Sequence, residues 1–231
     1  MTKANFLRIS LSRSQFVWGL RYLLFETVFL SSLLNTLNWI LPTPMDDAQL
    51  NFLFFVINLT AVILIFRQYL VQFLKAEPMD HLKTLAVSAA FFCIYEAASF
   101  GMSWLITAID PGFSNVNDGY IAQMSQERYF LMFLGTVVLV PVTEETLFRG
   151  LLFRGLYERS SLAAWIISTA AFCVVHILGY AGEGIWTLLL CFLQYLPAGL
   201  CLAAAYRLSG SILSPILIHM AVNAIGMLAL R

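Results

Sequence analysis

Pro141-Val142-Thr143-Glu144-Glu145-Thr146-Leu147-Phe148-Arg149-Gly150 places two adjacent carboxylates and a guanidinium inside a long apolar run, Tyr129–Glu158. The surrounding composition says what kind of run this is. Of the 231 residues, 60% are hydrophobic and only 11% charged, with a mean hydropathy of +0.82. Soluble domains average about 25% charged residues, so this chain has too few charges to coat a water-facing surface. Soluble enzyme, nucleic-acid binder and disordered linker are excluded together. Thirteen basic residues balance thirteen acidic ones, which gives no net field for a polyanion, and no nucleic-acid partner is expected. The four cysteines, Cys93, Cys173, Cys191 and Cys201, lie in apolar runs and read as small buried hydrophobes. The lipid bilayer is the expected surrounding.

A membrane helix needs about 20 mostly apolar residues. Seven stretches answer to that: Phe16–Leu41, Asn51–Leu74, Leu82–Ile109, Tyr129–Glu158, Ser161–Leu178, Ile185–Tyr206 and Ser211–Leu230. The pattern predicts an all-α, polytopic transmembrane bundle of about seven spans, one domain over residues 1–231. Lys3, Arg8 and Arg13 precede a run too long for a signal h-region, so no cleavable signal is expected. Connections rich in Lys and Arg alternate with connections dominated by Asp and Glu. The first kind holds Arg67, Lys75 and Lys83, then Arg154 and Arg159, then Arg207. The second holds Asp46 and Asp47, then Asp110, Asp118 and Glu127 against Arg128, then Glu183. By the positive-inside rule the N-terminus is cytoplasmic and the C-terminus external. Short loops point to a bacterial plasma membrane.

Each ionisable group at membrane depth costs on the order of 2.5–3.5 kcal/mol on insertion scales, so each needs a reason. Glu145 and Arg149 are i,i+4 with the acid N-terminal, the favoured orientation for a pair on one helix face. Glu144 points about 100° away and is left over. Three more polar groups stand in otherwise uncharged spans: His176, and the i,i+4 pair His219 and Asn223. Taken singly, a membrane histidine is more often a packing or hydrogen-bonding residue than a catalyst. Depth changes that reading. Counting about 1.5 Å per residue from Arg159 and Arg207, Glu144 lies roughly 22 Å deep, His176 roughly 25 Å and His219 roughly 18 Å. Independent packing residues have no reason to agree in level. Pro141 and Pro215 stand three and four residues before Glu144 and His219, and irregular backbone at depth is tolerated where it lines a cavity. Glu96, roughly 20 Å from Lys83, reaches the same level and is expected to support the site from the third span.

A carboxylate, two imidazoles and an amide in a dry pocket suit water activation against a carbonyl, with Glu144 as general base. Imidazole and amide donors can hold the developing oxyanion. Glu144, His176 and His219 can instead hold a divalent metal such as zinc, although HExxH is absent. No Ser or Cys nucleophile stands in a recognisable setting. Intramembrane acids and histidines also make proton relays, and Glu26 and Glu96 keep a proton-coupled transporter in view.

Glu144-Glu145-x-x-x-Arg149, Phe172-x-x-x-His176 and His219-x-x-x-Asn223 resemble, in order, the three motifs of the CPBP family of intramembrane endopeptidases, which includes the type II CAAX prenyl endopeptidases and bacteriocin-processing (Abi) relatives. The resemblance covers about residues 129–231. It implies a membrane protease in which Glu144 and His176 activate water, His219 and Asn223 bind the oxyanion, and Glu145 pairs with Arg149. The implied substrate is a membrane-associated peptide or protein; a non-catalytic regulator is the alternative within the family. Family members are called metalloproteases, and the same residue set serves a metal-free glutamate mechanism.

Overall fold

The computed structural model describes residues 11–75 and 78–231, and every regular element among them is helical. Lys3 and Arg8, which carry part of the N-terminal charge argument, lie outside the described residues. Seven helices follow in order: α1 (Arg13–Trp39), α2 (Asp47–Leu74), α3 (Pro78–Ile109), α4 (Val116–Tyr157), α5 (Ser161–Val175), α6 (Ile185–Ser209) and α7 (Leu213–Ala229). Local chemistry fixes several of the starts. Ser12 and Gln15 form a reciprocal capping box at α1, with bonds of 3.1 and 3.0 Å. Asp46 and Gln49 do the same at α2. Gly210, at φ 76°, takes the left-handed turn that ends α6 and lets α7 fold back.

Five of these helices are long and apolar enough to cross a membrane; α5 and α7, also apolar, have 15 and 17 residues. The span expected over Ser161–Leu178 therefore ends early. At about 1.5 Å per residue, α5 is roughly 22 Å long, against a hydrocarbon thickness of about 30 Å. Its helix stops at His176, and the chain continues into a 3₁₀ turn, Leu178–Glu183, set among Gly179, Gly182 and Gly184. The fourth helix starts earlier than the apolar run predicts. A polar segment from Val116 joins the span at a kink where Arg128 takes φ −138°, ψ 58°. Arg128 donates to Asp46 Oδ2 at 2.9 and 3.0 Å, tying the kink to the start of α2. The Asp46 carboxylate also accepts from Gln49 N, and these bonds hold its pKa below the ordinary carboxylate range.

Packing separates an outer apolar surface from a tight interior. Leu64, Phe100, Trp104 and Ile185 are each more than two-thirds exposed, a surface that suits lipid. Inside, Phe66, Tyr69, Phe148, Phe153, Phe172 and Tyr206 form one buried cluster joining α2, α4, α5 and α6. α6 packs along both α3 and α5. Gly199 sits at the α5–α6 crossing, where a Cβ would stand 2.7 Å from Thr169 Cγ2 and 3.4 Å from Thr169 Cα. Gly199→Val is expected to destabilise the protein by about 1–3 kcal/mol, the usual range for overpacking, measured as thermal unfolding in detergent. An unchanged midpoint would show that the helices separate there at no cost.

Candidate active site

Around Glu144 the fourth helix departs twice from regular α geometry. Gly135–Leu139 and Thr146–Phe153 are π-helical, and only Val140–Glu145 between them is α-helical. Pro141 supplies a reason for the first: it has no N–H to return to Val137, so the local ladder loses a bond. Insertions of this kind re-aim side chains and are frequent at functional sites. They also free backbone acceptors. Asn223 Nδ2 on α7 donates to Thr136 O at 2.8 Å, and Ser168 Oγ on α5 donates to Phe148 O at 2.7 Å. The irregular helix is thereby tied to both neighbours that carry site residues.

Glu145 and Arg149 are fully buried and joined, Arg149 Nη1 donating to Glu145 Oε1 at 3.1 Å. Arg149 Nη2 donates to Ala198 O and Gly199 O on α6, and its guanidinium lies 4.4 Å over the Phe172 ring. The pair has a third member. His219 Nδ1 lies 2.8 Å from Glu145 Oε1, so the carboxylate accepts from both α4 and α7. Nothing in the i,i+4 spacing announces this, because Glu145 and His219 are 74 positions apart. With Nδ1 engaged, Nε2 is the nitrogen that His219 has left for the cavity it lines.

Glu144 is only partly buried, and its Oε2 has no hydrogen-bond partner. It stands 3.8 Å from His176 Nε2, too long for a direct hydrogen bond. His176 is held firmly. Its Nδ1–H donates to Phe172 O at 2.8 Å, which makes Nε2 the acceptor in the neutral ring. The imidazole packs against Phe172 and Tyr195, with ring centroids 4.6 and 4.3 Å away. Tyr195 is anchored in turn. Its hydroxyl accepts from Asn117 Nδ2 at 3.0 Å and donates to Asp118 Oδ1 at 3.2 Å.

Glu144, His176, His219 and Asn223 all line one cavity of about 1200 Å³. The α4 helix, the α7 helix and the end of α5 thus contribute these four residues to one wall. Glu96 is not among the lining residues. The α3 wall is made by Tyr95, Ser99 and Ser103, spaced i,i+4,i+8 along one face, and Glu96 falls beside that face. Two groups on the wall are not among the residues that the sequence singles out. Tyr195 lies in an apolar run where an aromatic carries no signal of its own. Asn115, Asn117 and Asp118 cluster at the start of α4, and that polar cluster was the available clue. Glu26, at the head of a π-helical stretch of α1, also reaches the cavity.

The donor set does not fit a metal centre. Among the described residues no three His, Cys, Asp or Glu side chains converge closely enough to hold an ion. Glu144 and His176 face each other, whereas His219 is turned onto Glu145.

The chain is a helical bundle with Glu144, His176, His219 and Asn223 on one cavity. Residues 126–225 match the family model described as type II CAAX prenyl endopeptidase Rce1-like. The match contains every motif residue from Glu144 to Asn223 and supports the CPBP, or CAAX protease, family; α1, α2 and α3 lie outside it. No curated protein and no solved structure matches the chain.

Proposed function

We propose that the protein is an intramembrane endopeptidase that hydrolyses a peptide bond of a membrane-associated peptide or protein with water activated by Glu144 and His176. The observation that carries this reading is the unpartnered Glu144 Oε2 beside His176 Nε2, on a cavity shared with His219 and Asn223. A water drawn from the cavity to the Glu144 carboxylate and His176 Nε2 is turned by both. Glu144 takes its proton as hydroxide oxygen bonds to the carbonyl carbon, and His176 Nε2 accepts the second hydrogen bond that fixes the attack. Charge then develops on the former carbonyl oxygen. Asn223 has one Nδ2–H beyond the bond to Thr136. An imidazole of His219 protonated at both nitrogens donates from Nε2 while Nδ1–H stays on Glu145. Preorganised donors of this kind are worth about 2.7–4 kcal/mol each at a developing oxyanion. Collapse of the tetrahedral species breaks the C–N bond, and the proton held by Glu144 passes to the leaving amine.

Alternation of basic and acidic connections supports a chain oriented with its N-terminus in the cytoplasm and its C-terminus outside, and its short loops support a bacterial plasma membrane. The reading is tested by comparing the termini of membrane peptides from cells carrying wild type or Glu144→Ala. Termini that appear only with wild type are expected. Identical sets of termini would remove the proposed activity.

A further inference from the structure

The two ends of the bundle differ in packing and in charge. At one end the cavity wall reaches the start of α4 at Asn117, the turn after α5 at Gly179 and Tyr180, and the end of α7 at Leu230, with Ser103 on α3. At the other it stops near Leu202, roughly 10 Å short of the end of α6. Beyond that level the interior is filled. Phe66, Tyr69, Phe153 and Tyr206 are each no more than 2% exposed, and the hydroxyls of Tyr69 and Tyr206 meet at 2.7 Å. Lys83 Nζ donates to Ser209 O across the same end, tying α3 to α6.

Charge follows the same division. Arg67, Lys75, Lys83, Arg154, Arg159 and Arg207 stand towards the filled end, with Asp80 and Glu158. Towards the open end stand Asp46, Asp47, Asp110, Asp118, Glu127 and Glu183. The basic groups there, among the described residues, are Arg128, which is paired with Asp46, and Arg231. Because Lys and Arg near the spans are retained on the cytoplasmic side, the filled end is the cytoplasmic one.

We infer that the cavity opens on the non-cytoplasmic face, so that its substrates are translocated peptides or the outer-leaflet segments of membrane proteins, and not cytoplasmic tails. The term substrate rests on the endopeptidase reading; the direction of access does not. The packed aromatic cluster blocks approach from the cytoplasm, and the peptide enters past the polar rim formed by the start of α4 and the turn after α5. Glu144 then lies at the inner end of an outward-facing vestibule.

Single cysteines read the direction of access. Ser103→Cys marks the cavity wall, Gly179→Cys the rim, where a Cβ meets nothing within 4 Å, and Ser161→Cys the exposed turn at the filled end. Each is treated in the full chain with a charged, membrane-impermeant maleimide, in right-side-out and in inside-out vesicles, and scored above the parent protein with its own four cysteines. Ser103→Cys and Gly179→Cys are expected to label in right-side-out vesicles and Ser161→Cys in inside-out vesicles. Labelling of Ser103→Cys from the same side as Ser161→Cys, or from neither side, would overturn the inference, as would a complete reversal of sides. Labelling reads water access and not turnover, so a protein without protease activity still gives the expected pattern if the direction is right.

Discussion

Glu144→Gln abolishes peptide cleavage, with kcat lowered by about 10³-fold or more, and leaves the protein inserted and folded. Removal of a general base costs typically about 10²–10⁴-fold. The substitution is close to isosteric, and the oxygen it replaces has no hydrogen-bond partner to lose. Stability therefore has little reason to change. His176→Ala and His219→Ala are expected to bring comparable losses, and combining either with Glu144→Gln adds little further, because groups that act as one unit are not additive. Turnover of a peptide found to accumulate in Glu144→Gln cells, read beside thermal unfolding of each variant, measures both effects. Near-normal turnover by any of the three removes that residue from the proposed chemistry.

The second large effect falls on stability. Glu145 and Arg149 are both at 0% exposure and bonded at 3.1 Å, so removal of either strands a charge in the interior. Arg149→Ala is expected to destabilise by on the order of 3–5 kcal/mol, and the double replacement by less than the sum of the two single ones. The coupling in such a cycle falls in the range of about 0.5–3 kcal/mol. Glu145→Ala carries an added penalty in turnover, because the same carboxylate holds His219 Nδ1. Strictly additive losses would mean that the two residues contribute independently, against the geometry of the pair.

Much of this arrangement is legible in the sequence because membrane burial makes charge expensive. Glu144, Glu145, Arg149, His176, His219 and Asn223 stand out against runs that contain no other reason for them, and helical periodicity assigns Arg149 to Glu145 without further help. Contacts between distant segments are less visible. The bond between His219 and Glu145, and the bond between Asn223 and Thr136, depend on how α7 docks against α4. Thr136, which Asn223 meets, lies in a π-helical turn that residue spacing does not encode. The early end of α5 follows from a glycine-containing turn inside an apolar run, where hydropathy alone sees a continuing span. Depth along α3 leaves the face open, and Glu96, expected to support the site, stands beside the face that lines the cavity. Level along the membrane normal was read from residue counts, but the face of α3 that meets the cavity is set by packing, and it carries Tyr95 and Ser99 instead.

The central claim is that water activated at Glu144 cleaves a peptide bond inside the bundle. It is tested most directly with the purified protein in proteoliposomes, given a peptide that accumulates in Glu144→Gln cells, in water enriched in oxygen-18. The account predicts two fragments, with one heavy oxygen in the new carboxyl terminus and no fragments from Glu144→Gln. The same fragments from the variant would contradict it, as would an intact peptide accompanied by proton flux through the wild-type protein.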